Sequence, residues 1–181
     1  VMLLTAAEIS KTKMQQISER LSGQESPMSL SSMQEEIDKK IQEQGLENLV
    51  GTDLTDDGLE LSLNSGLVFD SGAAAIRTDL GDVLESMLKT LVPYASKYDF
   101  AVEGHTDNRP IAPGGTYRSN WELSADRANA VRSRLETVGI DRGRIRVEGY
   151  ADTKSLDEKK LQGLSEDERL ARHRRVVVRV Y

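Results

Sequence analysis

The stretch from residue 98 to residue 135 constrains the fold most, because a strand, a loop and a helix follow one another there. Residues 98–105 alternate apolar and polar side chains, which is typical of a strand. A loop rich in proline and glycine leads on to Ser119, which together with Glu122 matches the Ser-x-x-Glu box of a helix N-terminus. Gly139 predicts the end of that helix. Elements in this order are the building unit of an α/β domain.

The predicted helix has an apolar stripe that faces the core and a flank beside it. The stripe recurs at helical spacing and consists of Ser124, Ala128, Val131, Leu135 and Val138. The flank consists of Asn120, Leu123, Arg127 and Arg134. We expect this flank to line a groove beside the core. Asp107 ends the preceding strand, a position at which α/β proteins usually place ligand-contacting groups.

Asp107 and Arg127 predict a site for a zwitterion. The carboxylate of Asp107 can hold an ammonium group, and the guanidinium of Arg127 can bind a carboxylate through two parallel hydrogen bonds. Two structural alternatives compete with this prediction: a plain salt bridge between the two residues, or a turn that Asp107 caps through Asn108. On spacing alone, these structural alternatives are the more common outcome.

Strands and helices alternate along the chain and predict an α/β fold, a two-layer sandwich of one mixed sheet and two main helices, preceded by N-terminal helices. The predicted strands are 46–54, 59–63, 98–105, 145–149 and 174–181, and the main helices are 79–98 and 119–138. The first two strands form a hairpin around the turn Asp56-Asp57-Gly58. The last strand is a candidate for an edge of the sheet. Ser165 and Glu168 predict the start of a further short helix.

The chain divides at residue 45 into two predicted parts. Residues 1–45 form a helical linker or regulatory segment, and residues 46–181 form the main domain. Two helices, 1–21 and 30–44, are expected in the first part, each with a narrow apolar stripe. Because such stripes do not stabilise an isolated helix, we expect both helices to pack on the main domain or on a second copy of the chain.

The residues of these two helices allow further predictions. The first stripe consists of Leu3, Ala7, Met14, Ile17 and Leu21, and the second of Leu30, Met33, Ile37 and Ile41. Ser32 and Glu35 match a capping box at the start of the second helix, and Gly45 predicts its end.

The motifs of the chain combine into the pattern of one family. They are Phe69-Asp70-Ser71-Gly72, Gly104-His105-Thr106-Asp107-Asn108, Asn120-x-x-Leu123-Ser124-x-x-Arg127-Ala128, Gly149-Tyr150-Ala151-Asp152 and Arg174-Arg175-Val176. Over about residues 59–181 the chain resembles the OmpA-like peptidoglycan-binding domain. The long loop 109–118 and the Asn-Trp-Glu-Leu-Ser sequence after it look most like the stator B subunits of flagellar motors, MotB and PomB. The family usually has Asn before the Arg-Arg pair, where this chain has His173.

The resemblance implies a ligand for the predicted site. Asp107 and Arg127 match the residues that hold diaminopimelate, a component of the peptidoglycan stem peptide, by its ammonium and its carboxylate. The remaining predicted peptidoglycan-binding residues are Thr106, Asn120, Leu123 and Arg174. Thr106 is expected to contribute backbone contacts, and Asn120 and Leu123 match positions that line the groove.

The resemblance also implies a function and a location. The chain would bind peptidoglycan without catalysis or cofactor and anchor the stator, an ion-channel complex, to the cell wall. It would be the periplasmic part of a single-pass inner-membrane protein whose membrane helix, which contacts the channel's A subunit, is absent from a sequence that begins at Val1. It would form a homodimer, for which the strand 174–181 is a candidate edge. The alternatives are a wall-anchoring domain of an outer-membrane protein or lipoprotein and, less favoured, a glycan-strand hydrolase that uses Glu103 and Asp107.

Composition and motifs argue against several other classes of function. The net charge of −6 argues against nucleic acid as a partner. The absence of cysteine excludes disulfides and thiol chemistry. The sequence has no Gly-rich phosphate loop, no Ser-His-Asp set in a plausible order, and no apolar stretch long enough to span a bilayer.

A few residues outside the family pattern remain as candidates. His105 and His173 could contribute to a metal site, but two distant histidines without a third clear ligand are a weak signal, and His105 is predicted to be a packed strand residue. Trp121 is predicted to be a lid or core residue, with sugar stacking as the alternative. The arginines within 142–146 are predicted to form a solvated edge, with binding of anionic wall polymers as the alternative.

Overall fold

Five strands form one mixed sheet in the computed structural model, which describes residues 11–22 and 28–181. The strands are β1 Val50–Thr55, β2 Gly58–Asn64, β3 Phe100–His105, β4 Ile145–Gly149 and β5 Arg175–Val180. They lie in the order β1-β2-β5-β3-β4, and all neighbours are antiparallel except β3 and β4, which are parallel. The predicted mixed α/β fold is confirmed.

The prediction that the last strand lies at an edge of the sheet is wrong. β5 pairs with β2 on one side and with β3 on the other, so it is the central strand. Its valines Val176, Val177 and Val178 are all buried, although they alternate between the two faces of the sheet. An uninterrupted apolar run of this kind suits a strand that is covered on both faces.

Seven α-helices occur in the part of the chain that the structure describes. They are α1 Lys11–Ser22, α2 Leu30–Gln44, α3 Ser65–Val68, α4 Gly81–Leu88, α5 Asn120–Val138, α6 Glu158–Leu161 and α7 Glu166–His173, with 3-10 turns at Lys89–Tyr94 and Arg142–Arg144. The two predicted main helices correspond to α4 and α5. The first is shorter than predicted and continues as a 3-10 turn that contains Pro93, because proline cannot donate the hydrogen bond of a continuing α-helix. No described helix has the length and apolar character that crossing a membrane requires.

The hydrophobic core lies between the sheet and three of these helices. Its fully or almost fully buried residues include Met33 and Ile37 of α2, Leu84 and Met87 of α4, Val131 and Leu135 of α5, and Leu61, Val102 and Val178 of the sheet. The predicted stripes of α2 and α5 are therefore confirmed, and α2 contributes to the same core as the sheet. The division of the chain at residue 45 stays a prediction.

Side-chain caps and glycines set the ends of the helices largely as predicted. Ser119 is the N-cap of α5, and Gly139 ends that helix with a left-handed φ of 114°. Gly45 ends α2 with a φ of 65°. The predicted capping box at Ser32 is wrong, because Ser29 caps α2 through an Oγ that accepts the Ser32 N–H. Ser29 has the extended backbone of an N-cap, whereas Ser32 already lies in the first turn. The predicted start of α7 is confirmed by a complete capping box.

The predicted apolar stripe of the first helix is wrong where the structure describes it. Met14 and Ile17 are 60% and 39% exposed, whereas Leu3, Ala7 and the side chain of Leu21 lie outside the described residues. α1 contacts the main domain through polar groups instead. Gln15 Nε2 donates to the Tyr98 hydroxyl and Gln16 Nε2 to the Thr55 carbonyl, each at 3.1 Å.

Two glycines bring α5 close to the end of the sheet. A Cβ on Gly104 would overlap the Ser124 carbonyl, and a Cβ on Gly149 would lie 2.9 Å from the Ala125 Cβ. Only glycine permits this approach. The first turns of α5, which carry most of the predicted site, therefore lie directly beside the end of β3.

Candidate functional site

Asp107 lies directly after β3 and is buried, with 7% of its surface exposed. Its carboxylate is held from two sides: Oδ1 accepts a hydrogen bond from the Arg109 N–H at 2.9 Å, and Oδ2 accepts one from Arg174 Nη1 at 2.5 Å. The first contact closes a turn around Asn108, so the turn-capping alternative is observed. Because a carboxylate can accept about four hydrogen bonds, Asp107 keeps acceptor capacity for a ligand.

Arg127 projects from α5 into a turn near the start of the main domain and is 6% exposed. Its Nε donates to the Ala73 carbonyl at 2.8 Å, and its Nη2 donates to the Asp70 carbonyl at 3.2 Å. The guanidinium carbon lies 5.1 Å from the centre of the Phe69 ring, which is within cation–π distance. These contacts fix the side chain but use two of the five guanidinium N–H groups, so the others remain available to a carboxylate.

The plain salt bridge between Asp107 and Arg127 does not occur among the described ion pairs, because each residue is held by other partners. The two residues still lie within electrostatic reach of each other. The pKa of Arg127 is lowered, mainly by burial. The charge of Arg174 adds to this effect, whereas Tyr117 and Asp107 oppose it. Arginine nevertheless stays charged at neutral pH. The site thus contains a buried carboxylate and a buried guanidinium that do not neutralise each other directly.

Thr106 connects the end of β3 to the loop after β4. It is 5% exposed, its N–H donates to the Ala151 carbonyl at 2.8 Å, and its hydroxyl donates to the Asp107 carbonyl at 2.9 Å. The Ala151 N–H in turn donates to Ser124 Oγ of α5 at 3.1 Å. Ala151 has a left-handed φ of 52°, uncommon for a residue with a side chain. Thr106 therefore helps to fix Asp107 relative to α5.

Asn120 and Leu123 lie at the start of α5, as predicted. Asn120 Nδ2 donates to the Arg109 carbonyl at 2.9 Å and so attaches the helix to the loop after Asp107. Leu123 is buried, with 6% of its surface exposed. Of the six predicted site residues, Arg174 and Thr106 form hydrogen bonds with Asp107. Asn120 is connected to Asp107 indirectly, because both form hydrogen bonds with the backbone of Arg109.

The loop 109–118 is attached to the domain at both ends by residues that the sequence did not single out. Arg109 forms an ion pair with Asp167 of α7 at 3.3 Å. The Tyr117 hydroxyl donates to Asp126 Oδ2 of α5 at 2.7 Å, and burial followed by this hydrogen bond raises the pKa of Tyr117. The position of Tyr117 just before the helix cap was the only sequence signal for this contact.

His173, which stands where the family usually has Asn, bridges α7 and the loop after β4. Its Nε2 accepts the Leu156 N–H at 3.3 Å, and its Nδ1 donates to the Arg169 carbonyl at 2.7 Å. This pattern of contacts assigns the ring proton to Nδ1. A cavity of about 180 Å³ lies between His173 and Asp107. His173 therefore shapes the surroundings of Asp107 without touching it.

His105 and Glu103 belong to a polar network on the face of the sheet away from the main helices. His105 Nε2 lies 3.2 Å from Glu103 Oε1, and the His105 ring stacks on Tyr150 at 5.2 Å. His105 is 4% exposed, which confirms the packed-residue prediction. Arg179 donates to the other Glu103 oxygen at 3.0 Å, so both carboxylate oxygens of Glu103 are engaged. Among the described residues, no three His, Cys, Asp or Glu side chains are grouped as a metal site would require.

The remaining surface predictions have different outcomes. Trp121 is 53% exposed, so a core role is wrong, while a lid or sugar-stacking role stays a prediction. The solvated edge is confirmed, because Arg142, Arg144 and Arg146 have exposed side chains that form ion pairs at the surface.

Comparison with known proteins shows the family to which the chain belongs. The model of the OmpA family matches residues 68–169, more than half of the sequence. This chain belongs to the OmpA family. The residues that match the OmpA family model include Asp107 and Arg127, whereas Arg174 lies beyond them.

Relatives of this OmpA-family chain include motility and wall-anchoring proteins. Motility protein B of Escherichia coli (strain K12) is 36% identical over 111 residues, which are 59% of this chain and 35% of that protein. The chain thus spans about a third of this relative's length. The putative MotB like protein from Desulfovibrio vulgaris shares the fold, with a TM-score of 0.72 and 22% identity over 83% of this chain and 92% of that chain. The cell wall anchor of the T6SS from Pseudomonas aeruginosa matches with a TM-score of 0.67 and 30% identity over 80% of this chain and 96% of that chain.

Proposed function

We propose that this chain binds peptidoglycan non-covalently and, as part of a stator B subunit, anchors a flagellar ion-channel complex to the cell wall. The observation that carries this proposal is the pair Asp107 and Arg127, two buried and opposite charges that are held apart and retain hydrogen-bonding capacity. The similarity to Motility protein B and to a cell wall anchor supports it.

The chemistry of diaminopimelate fits these two groups. In a stem peptide, the free end of diaminopimelate carries an ammonium and a carboxylate on one carbon. Asp107 holds the ammonium, and the unused N–H groups of Arg127 hold the carboxylate. Thr106 and Asn120 hold the end of β3 and the start of α5 in position, and Arg174 orients Asp107. Leu123 contributes an apolar side chain beside the ligand.

The wider assignment follows from this role. The chain lies in the periplasm as part of a single-pass inner-membrane protein, whose membrane helix contacts the channel-forming A subunit. It works as a homodimer, with residues 1–45 as a regulatory segment and residues 46–181 as the binding domain. Sedimentation at rising concentration tests the homodimer, and a strictly monomeric species contradicts it.

Calorimetric titration with free meso-diaminopimelate tests the binding proposal. The wild-type chain is expected to bind, and Asp107→Asn and Arg127→Ala are each expected to weaken binding by roughly ten- to a hundredfold, the effect of losing a hydrogen bond to a charged group. Arg142→Ala is the matched control, because its side chain is 86% exposed and far along the chain from both residues. Full binding by a folded Arg127→Ala chain contradicts the proposal.

A second candidate function is wall anchoring of a different assembly. The 30% identity to the cell wall anchor of the T6SS favours it. A swimming assay distinguishes the two candidate functions. Rescue of swimming in a strain that lacks its stator B subunit, by a chimera carrying residues 1–181, supports the stator, whereas wall binding without rescue supports the alternative.

A further inference from the structure

A cleft of about 430 Å³ adjoins Arg174, the residue that holds Asp107. This hairpin cleft lies between the β1–β2 hairpin and α7. Gly51 and Ser62 lie opposite each other in the hairpin and contribute little side-chain volume. A Cβ on Gly51 would meet no atom within 4 Å, so this position opens into empty space.

Three arginines and two glutamates line the hairpin cleft, and most of them are already engaged. Arg174 is paired with Asp107, and Arg175 donates to two backbone carbonyls at 3.2 Å. Glu168 is engaged as well, because its carboxylate accepts the Ser165 N–H at 2.7 Å at the start of α7.

Arg172 and Glu47 are the charged lining residues for which the described contacts include neither an ion pair nor a side-chain hydrogen bond. Both side chains are exposed. Arg172 lies in the last turn of α7, and Glu47 lies in the segment before β1. The cleft therefore offers a guanidinium that can bind a carboxylate and, at another part of its lining, a carboxylate that can accept an amide N–H.

We infer that the hairpin cleft binds the acidic residue that neighbours diaminopimelate in the stem peptide; this inference rests on the proposed function. That neighbour is a glutamate linked through its side chain, so its α-carboxylate is free and charged at neutral pH. The free end of diaminopimelate and the α-carbon of this glutamate are nine bonds apart, which spans about 11 Å when extended at normal bond lengths, so the glutamate extends past Arg174, which contacts Asp107 and lines the cleft. Arg172 binds its carboxylate, and Glu47 accepts an amide N–H of the peptide.

Three ligands test the inference by calorimetry. They are free meso-diaminopimelate, the tripeptide alanyl-γ-glutamyl-diaminopimelate, and the same tripeptide with the glutamate α-carboxylate converted to an amide. The wild-type chain is expected to bind the acidic tripeptide roughly ten- to a hundredfold more tightly than the amidated one, as for other hydrogen bonds between charged groups. Equal binding of the two tripeptides overturns the inference.

Two variants localise the effect. Arg172→Ala is expected to abolish the difference between the tripeptides, and Gly51→Leu, which fills the cleft, is expected to weaken both, while free diaminopimelate binds as to wild type. Gly51→Ala and Arg142→Ala are the matched controls, and thermal melting checks folding. Retention of the difference by Arg172→Ala overturns the inference. Failure of wild type to bind free diaminopimelate overturns the proposed function instead.

Discussion

Arg174 Nη1 lies 2.5 Å from Asp107 Oδ2, so the carboxylate proposed to hold a ligand ammonium already holds a guanidinium. Asp107 is almost completely buried, whereas the side chain of Arg174 is 35% exposed. A buried carboxylate is costly without a partner. The ion pair therefore stabilises the buried carboxylate and fixes its direction.

Removal of Arg174 is expected to destabilise the fold. Arg174→Ala leaves Asp107 with one protein donor and should lower the free energy of unfolding by about 1–3 kcal/mol, the cost of an unsatisfied buried group. Urea unfolding measures the change. Arg142→Ala is the control and should stay within about 0.5 kcal/mol of wild type, as is usual for surface positions. A change equally small in Arg174→Ala would show that the pair contributes nothing.

Arg127 is expected to distinguish two types of cell wall. Lysine-type stem peptides keep an amine but lack the second carboxylate. Arg127 would therefore lose a hydrogen bond to a charged group, which contributes about 1.5–3 kcal/mol to the binding free energy. Wild type should therefore pull down diaminopimelate-type sacculi roughly ten- to a hundredfold better than lysine-type sacculi. Arg127→Lys should not restore this preference, because an ammonium cannot form the two parallel bonds. Equal binding of both walls by wild type would refute the assignment.

The close approach of α5 to β3 predicts the effect of a single methyl group. In Gly104→Ala the new Cβ overlaps the Ser124 carbonyl, which should cost about 1–3 kcal/mol of stability through overpacking. The displaced helix should also weaken binding of diaminopimelate. Gly51→Ala is the matched control, because nothing lies near its Cβ position. Unchanged melting of Gly104→Ala would contradict this account.

The burial of α2 predicts that it unfolds together with the sheet. Ile37 is completely buried in the shared core, so Ile37→Ala should cost about 2–5 kcal/mol. Lys39→Ala, on the exposed face of the same helix, should change stability by less than about 0.5 kcal/mol. Chemical denaturation followed by circular dichroism measures both. A separate early transition for α2 would show that it is not part of the cooperative unit.

The buried His105 predicts a loss of stability in acid. Burial is the main cause that lowers the pKa of His105; Glu103 opposes it and Arg175 adds to it. Since the unfolded chain binds the proton more readily, stability falls as the pH drops below about 6.5. Glu103 acts in the same direction at lower pH. Burial raises its pKa, but the hydrogen bonds from His105 and Arg179 outweigh burial and lower it.

His105→Asn should therefore flatten the dependence of the unfolding free energy on pH between about pH 7 and 5. His173→Gln is the control and should leave the contribution of His105 in place. An unchanged slope in His105→Asn would refute this.

Features that depend on residues close together in the sequence, such as the ends of helices, could be predicted from the sequence. The cap Ser119 and the stop Gly139 could be read because each acts on a backbone group a few residues away. Asp107 and Arg127 were found through their motifs. The bond between Asp107 and Arg174 could not be predicted, because it joins residues far apart in sequence and depends on the order of the strands.

Strand alternation shows which face a residue occupies but not which strand lies next to it. The central position of β5 follows from pairing with β2 and β3, and the sequence contains no local sign of either partner. The polar packing of α1 was missed for a related reason. Met14 and Ile17 match an apolar stripe, while the contacts come from Gln15 and Gln16, whose partners lie elsewhere in the chain.

The central position of β5 also determines when this domain can be completed during synthesis. β5 is the last strand in the sequence, yet it joins the β1–β2 hairpin to the β3–β4 pair, with Leu59 opposite Val180. Until β5 leaves the ribosome, the two halves share no strand pairing, and the apolar faces that it covers stay open. Such distant pairing slows folding. The domain therefore remains without its central strand until β5 has emerged.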